Sequence, residues 1–276
     1  MRIDKAYAKV GEGQVHVRRR AGAGGALPLG LLHASPSSSR SLEGLMDAIP
    51  GGRELVAFDT PCNGQSCAPR ASEPSMTDFA DMLARAADSL GMERLALYGT
   101  HTGAHVAVEW ALARPERVAA LILDGVALID EAARDEFLAR YAPPKSPDAI
   151  GSQFHWAWHF IRDQMIFFPY FARDADHVRE GGVFDPRVLH ELTLEVLNNL
   201  ETYHLPYQAV FRHEVRAALA RLDLPVLVLS DAAGALDPAS EEVAATVKGA
   251  RLAKECDSLA AKAEAIEAFL EDIDAG

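Results

Sequence analysis

The sequence predicts an α/β fold, with a mostly parallel sheet, helices on both faces and a helical insertion. Three observations carry this reading. Up to residue 123, short apolar runs of strand length alternate with amphipathic segments of helix length. Residues 130–218 then lack a strand pattern and are crowded with aromatics. The alternation resumes at residue 225 and runs towards the end of the chain.

The elements follow in order. The small-residue stretch 21–26 (AGAGGA) reads as a loop between strands, since such residues punctuate structure. Residues 29–33 read as a buried strand and 39–49 as a helix. Residues 55–59 form the next strand and 76–90 the next helix. Then come strand 95–99, helix 102–113 and strand 118–123. Within 130–218, Phe154, Trp156, Trp158, Phe160, Phe167, Phe168, Tyr170 and Phe171 fall close together. After this segment, 225–230 is a strand, 240–246 a helix, 251–256 a weaker strand and 260–273 a closing helix. In that last helix Ile266, Phe269, Leu270 and Ile273 recur at helical spacing.

Composition narrows the partners. The chain has 276 residues, 49% hydrophobic and 24% charged, enough to bury a substantial core. Its formal charge of -13 disfavours nucleic acid, because a polyanion is repelled by that average field. No apolar run approaches the roughly 20 residues of a membrane span. Three cysteines do not make a disulfide framework, so free thiols in a cytoplasmic protein are expected. The expected partner is a small-molecule substrate or ligand, with no nucleic acid and no membrane; a homodimer is left open. No cofactor is expected, because neither a dinucleotide fingerprint nor a phosphate loop is present.

The most informative segment is Gly99-Thr100-His101-Thr102-Gly103, where a strand runs directly into a helix. The glycines allow a turn so sharp that the residue between them is thrown out at the carboxyl edge of the sheet. This resembles the nucleophile elbow of the α/β-hydrolase superfamily, in its capped, epoxide hydrolase/haloperoxidase-like branch. Two further motifs share the resemblance. Leu31-Leu-His-Ala-Ser-Pro36 resembles the family's His-Gly-x-Pro loop. Asp59-Thr-Pro-Cys-Asn-Gly-Gln-Ser66 resembles its Asp-x-Pro-Gly-x-Gly-x-Ser loop, with Cys62 in place of a glycine. The resemblance implies an eight-stranded sheet, a core domain of residues 1–129 and 219–276, and a helical cap of residues 130–218. It also implies that the backbone N–H groups of Ser35 and Thr102 receive a carbonyl oxygen.

The departures from the family concern chemistry. The elbow tip of the family is Ser, Asp or Cys; here it is His101. The family's acid position aligns with Gly234, with Asp231 and Asp237 displaced from it, and no histidine follows His213. A standard triad needs a hydroxyl or thiol, a base and an orienting carboxylate. The expected catalytic set is therefore His101 as acid/base, Ser35 and Thr102 as donors, and Asp231 as the acid. His33, Thr100, Trp156, His159, Phe168 and His204 are the substrate-binding candidates. The alternatives are a retired site that only binds a ligand, a scaffold for a protein partner, or a structural role for His101. For His33 and His105 a structural role is the plainer reading, and a metal site at His101 and His105 lacks an evident third ligand.

Overall fold

A computed structural model describes residues 2–179, 185–231 and 236–275 of the chain. The chain opens with strands β1 (Asp4–Val10), β2 (Gly13–Arg20) and β3 (Leu29–Leu32). Then come helix α1 (Glu43–Ala48), strand β4 (Leu55–Phe58), helix α2 (Met76–Ser89) and strand β5 (Leu95–Thr100). Helix α3 (Thr102–Ala113) and strand β6 (Val118–Asp124) follow. Helices α4 (Glu131–Arg140), α5 (Ser152–Ile166), α6 (Pro186–Asn198), α7 (His204–Arg212) and α8 (Val215–Leu219) come next. Strand β7 (Val226–Leu229), helix α9 (Ser240–Thr246), strand β8 (Arg251–Ala253) and helix α10 (Leu259–Ala275) complete the fold.

The eight strands form one sheet in the order β1-β2-β4-β3-β5-β6-β7-β8. β1 and β2 run antiparallel to their neighbours and the other pairings are parallel. The β1–β2 hairpin was not placed among the sequence elements, because its polar residues do not make an apolar run. Only Ala8 and the stretch from Val15 to Arg18, with Arg20, are buried in it. Among the described residues, the 130–218 segment holds helices and one isolated bridge, Phe167 to Val178, and no named strand. The helix expected over 39–49 is divided, with a 3-10 turn (Ser39–Leu42) ahead of α1. No described helix is long and apolar enough to cross a membrane.

The central strands are buried on both faces, as a parallel sheet covered by helices requires. Their side chains alternate between two cores. Leu95 and Leu97 of β5 pack with α2 and α3, whereas Ala96 and Tyr98 pack with α1 and α10. β6 divides in the same way, with Leu121 and Leu123 on one side and Ala120 and Ile122 on the other. The register then sets the site. Leu32 lies beside Gly99, Thr100 beside Asp124, and Asp124 beside Leu229. The loops that leave β3, β5, β6 and β7 therefore meet at one carboxyl edge, where open parallel sheets place their ligands.

Candidate active site

The turn after β5 is as sharp as the sequence predicts. A Cβ on Gly99 would lie 2.4 Å from the Gly103 carbonyl oxygen, and one on Gly103 would lie 2.2 Å from the Leu32 oxygen. Backbone this close leaves room only for glycine. His101 stands between them with φ 51° and ψ -114°, in left-handed space that costs a non-glycine residue about 1–3 kcal/mol. The turn is secured by the His101 N–H, which donates to the Asp124 carbonyl at 3.1 Å.

His101, Ser35 and Thr102 line one cavity of about 440 Å³. Thr102 is the first residue of α3, so its N–H belongs to the turn that has no acceptor within the helix. The Ser35 N–H donates to Thr102 Oγ1 at 3.3 Å, at the long end of the hydrogen-bond range. His33 is buried beneath this loop. Its Nε2 accepts from the Thr60 N–H at 2.9 Å, which puts its proton on Nδ1, 2.7 Å from the Ala34 carbonyl. Burial lowers the His33 pKa, and the ring acts as a neutral brace for the Ser35 loop rather than as part of the cavity wall.

Two hydrogen-bonded groups lie behind His101. Nδ1 is 2.9 Å from Thr100 Oγ1. The Tyr98 hydroxyl donates to Asp124 Oδ2 at 2.6 Å. The same oxygen takes the Lys262 ammonium at 2.9 Å, and Lys262 reaches Asp231 at 3.3 Å. Tyr98 gives its proton to the Asp124 carboxylate, which can only accept. The direction of the Nδ1–Thr100 bond follows the His101 tautomer, and Nε2 has no hydrogen-bond partner among the described residues.

The electrostatics agree with that assignment. Burial, then the Asp124 charge, raises the Tyr98 pKa well above the ordinary value, so Tyr98 remains a donor. Burial opposes the Lys262 charge, but Asp124 and Asp231 outweigh it and raise its pKa. Protein packed around the His101 ring lowers its pKa; Asp124 opposes the shift, while Lys262 and Arg179 add to it. The ring remains open on its cavity side and packs against Gly125, where a Cβ would come within 3.1 Å of Cε1.

The remaining expected residues divide. Phe168 lines the cavity, and Thr100 acts one step behind His101. Trp156 does not line it; its ring stacks on Phe160 at 5.0 Å, inside the packing of the helical segment. His159 is on the exposed side of α5, because its position faces away from buried Ala157 and Phe160. His204 also lies off the cavity, with its Nδ1 buried and unpartnered and its pKa lowered by burial. Asp231 sits at the end of β7 against Lys262 and is not part of the cavity wall. Gly234 and the side chain of Asp237 lie outside the described residues. Cys62 is buried, which pushes its thiol up to about 12 and makes it a poor nucleophile.

Sequence reasoning missed much of the wall. Phe137 and Tyr141, and likewise Tyr207 and Phe211, line the cavity as pairs four residues apart. That spacing puts each pair on one helix face and was a readable signal. No comparable signal pointed to Gln164, Arg179 or Lys262. Among the described residues, no group of three or more His, Cys, Asp or Glu is placed to hold a metal ion.

Comparison with known proteins follows this geometry. The model of the alpha/beta hydrolase fold family matches residues 28–165, half of the chain. A Klebsiella pneumoniae protein named "Putative carbamate hydrolase RutD" is 36% identical over 76 residues. That match covers 28% of this chain and 29% of the relative, less than a third of its length. The structure of bromoperoxidase from Bacillus anthracis superimposes with a TM-score of 0.73 at 17% identity, over 98% of this chain and 100% of that one. Epoxide hydrolase A from Mycobacterium thermoresistibile gives 0.71 at 21% identity, over 100% and 99%. With the strand order, the sharp turn after β5 and this family match in agreement, the chain belongs to the alpha/beta hydrolase fold family.

Proposed function

We propose that this chain is a cofactor-independent enzyme that performs acid/base hydrolase or lyase chemistry on a small, partly aromatic carbonyl compound. The reading rests on one observation: His101, whose Nε2 has no hydrogen-bond partner among the described residues, lines a cavity whose wall also carries Ser35 and Thr102. In this reading Nδ1–H donates to Thr100 and Nε2 is the base. In hydrolysis, Nε2 takes a proton from water as the water oxygen attacks the carbonyl carbon. The carbonyl oxygen becomes an oxyanion held by the N–H groups of Ser35 and Thr102. Its collapse breaks the bond to the leaving group, which takes the proton back from His101. The same base next to a carbonyl can instead remove a carbon-bound proton, with the enolate held in the same place. The cavity offers Phe137, Tyr141, Phe168, Tyr207 and Phe211 to a flat or apolar substrate. The relative named as a carbamate hydrolase is consistent with acyl chemistry.

A second reading has its own observation. The Asp124 carboxylate is committed to Tyr98 and Lys262 and makes no hydrogen bond to the His101 ring. A site without a directly orienting acid also suits a relative that binds its ligand and leaves it unchanged. Turnover of p-nitrophenyl acetate separates the two. The enzyme reading expects measurable hydrolysis that His101→Ala abolishes. Undiminished hydrolysis in that variant removes His101 from the chemistry, and tight ligand binding without turnover supports the silent relative.

A further inference from the structure

The cavity wall holds one cation for which the reaction scheme has no use. Arg179 follows the Phe167–Val178 bridge, and its backbone N–H donates to the Ile166 carbonyl at 2.8 Å. Its guanidinium lines the cavity and is half-buried. Nη1 donates to the Gln164 carbonyl at 2.9 Å, which fixes the side chain's direction. Neither Nε nor Nη2 has a hydrogen bond among the described residues, and no described carboxylate is within ion-pair distance. The other arginines of the helical segment that border buried ground are treated differently. Arg162 and Arg173 both pair with the buried Asp163, at 2.6 and 2.9 Å.

A second polar group lines the same cavity. Tyr141 is 8% exposed, and its hydroxyl has no hydrogen-bond partner among the described residues. Burial, then Tyr170, raises its pKa and outweighs the Arg179 charge, so the hydroxyl stays protonated. The wall is mainly apolar, and its one carboxylate among the described residues, Asp130, is paired with Arg216 at 3.2 Å. A cation with two donors unused among the described residues and a phenol donor in the same wall make a recognition site for a planar anion. Half-burying a cation is unfavourable until an anion meets it.

We propose that the ligand of this cavity carries a carboxylate, bound by the Arg179 guanidinium and the Tyr141 hydroxyl, in addition to the group presented to His101. This rests on the reading of the cavity as the ligand site, but not on His101 being catalytic. It narrows the substrate class to acids with an aromatic or apolar body. The overall charge of -13 gives such an acid no general attraction, so its affinity depends on this local pair.

Binding of hydrocinnamate and of hydrocinnamyl alcohol, measured by calorimetry, tests the proposal. The two probes share the phenylpropyl body and differ in charge. The wild-type protein is expected to bind the acid at least about tenfold more tightly than the alcohol, with a preference that shrinks as salt rises. Arg179→Gln is expected to remove the preference while leaving the alcohol's affinity unchanged. Arg179→Lys, which keeps the charge and loses the fork, retains part of it and controls for a misfolded glutamine variant. Tyr141→Phe lowers the preference by a few-fold. Equal binding of the two probes by the wild type, no binding of either, or a preference that survives Arg179→Gln overturns the proposal. His101→Ala is expected to keep the carboxylate preference. Loss of turnover in that variant thus bears on the chemistry alone, and loss of the preference in Arg179→Gln bears on recognition alone.

Discussion

His101 and His105 stand one turn apart at the start of the same helix and have come to opposite ends. Both rings lose basicity for the same first reason, burial. His101 keeps one side open to the cavity, and its Nε2 has no hydrogen-bond partner among the described residues. His105 is fully buried, with its Nδ1 2.9 Å from Nδ1 of His213, whose Nε2 meets Glu109 at 2.8 Å. Its own Nε2 is buried without a hydrogen-bond partner. The same residue type on one helix is thus a candidate base at one position and a packed core group at the other. The difference comes from the backbone. Left-handed geometry turns His101 out of the helix, while His105 follows the helix inward.

The largest test of this contrast is removal of each ring. His101→Ala is expected to cut turnover by about 10²–10⁴-fold, the usual worth of a positioned acid/base group, with little loss of stability. Relief of the positive-φ backbone does not follow, since alanine is strained there too. His105→Ala should do the reverse, lowering stability by about 2–3 kcal/mol through a core cavity and the loss of the partner of His213 Nδ1, with turnover per folded molecule retained. Thermal denaturation with activity assays on the same samples distinguishes them. If His105→Ala silences the folded protein, the division between the two rings is wrong.

The support beneath His101 gives the next effect. Lys262→Met leaves Asp124 buried without its cation, and should cost about 2–3 kcal/mol of stability. Tyr98→Phe is gentler. It removes one buried hydroxyl and one of the two side-chain partners of Asp124 Oδ2, costing about 1 kcal/mol. Turnover per folded molecule should be retained, since no hydrogen bond joins Tyr98 to the His101 ring. Denaturation midpoints with activity assays on the same samples check this, and a loss of kcat in the folded variant would tie Tyr98 to the chemistry.

The smallest effect is in pH. His101 has a folded pKa below the ordinary 6.5, so activity from its base form should persist below pH 6.5 and fall only as pH drops through the lowered value. For His105 the sign is the same but the observable is stability. An unfolded histidine takes a proton near pH 6.5 that the buried ring refuses, since its folded pKa is well below that. Its contribution is therefore full above about pH 6.5 and declines as pH falls below it. His105→Leu should flatten that acid slope in denaturation midpoints, and an unchanged slope would assign it to other groups.

Much of the fold was legible because its signals are local. The strand-helix-strand runs from residue 29 to 124, and the helix Thr102–Ala113, follow from periodicity. The hairpin β1–β2 was not, since its strands are stabilised by register with each other and with β4 rather than by apolar composition. In the site, His101, Ser35, Thr102 and Phe168 were readable from motif and window. Trp156 and His159 were taken from that aromatic window and His204 from the run 201–206, but membership of a segment does not say which face of a helix meets the cavity. Phe154 and Trp158 show the consequence, at 59% and 39% exposed.

The sequence by itself determined the turn that displays His101, because Gly99, Gly103 and the helix start act within a few residues of one another. It also shows that no histidine follows His213 within these 276 residues. Only the tertiary structure decided what surrounds that turn. Lys262 meets Asp124 across 138 residues, and Arg179 enters the cavity through a bridge in the helical segment. Such long-range meetings depend on how sheet and helices pack, and a charged residue leaves no periodic trace in the chain to announce them.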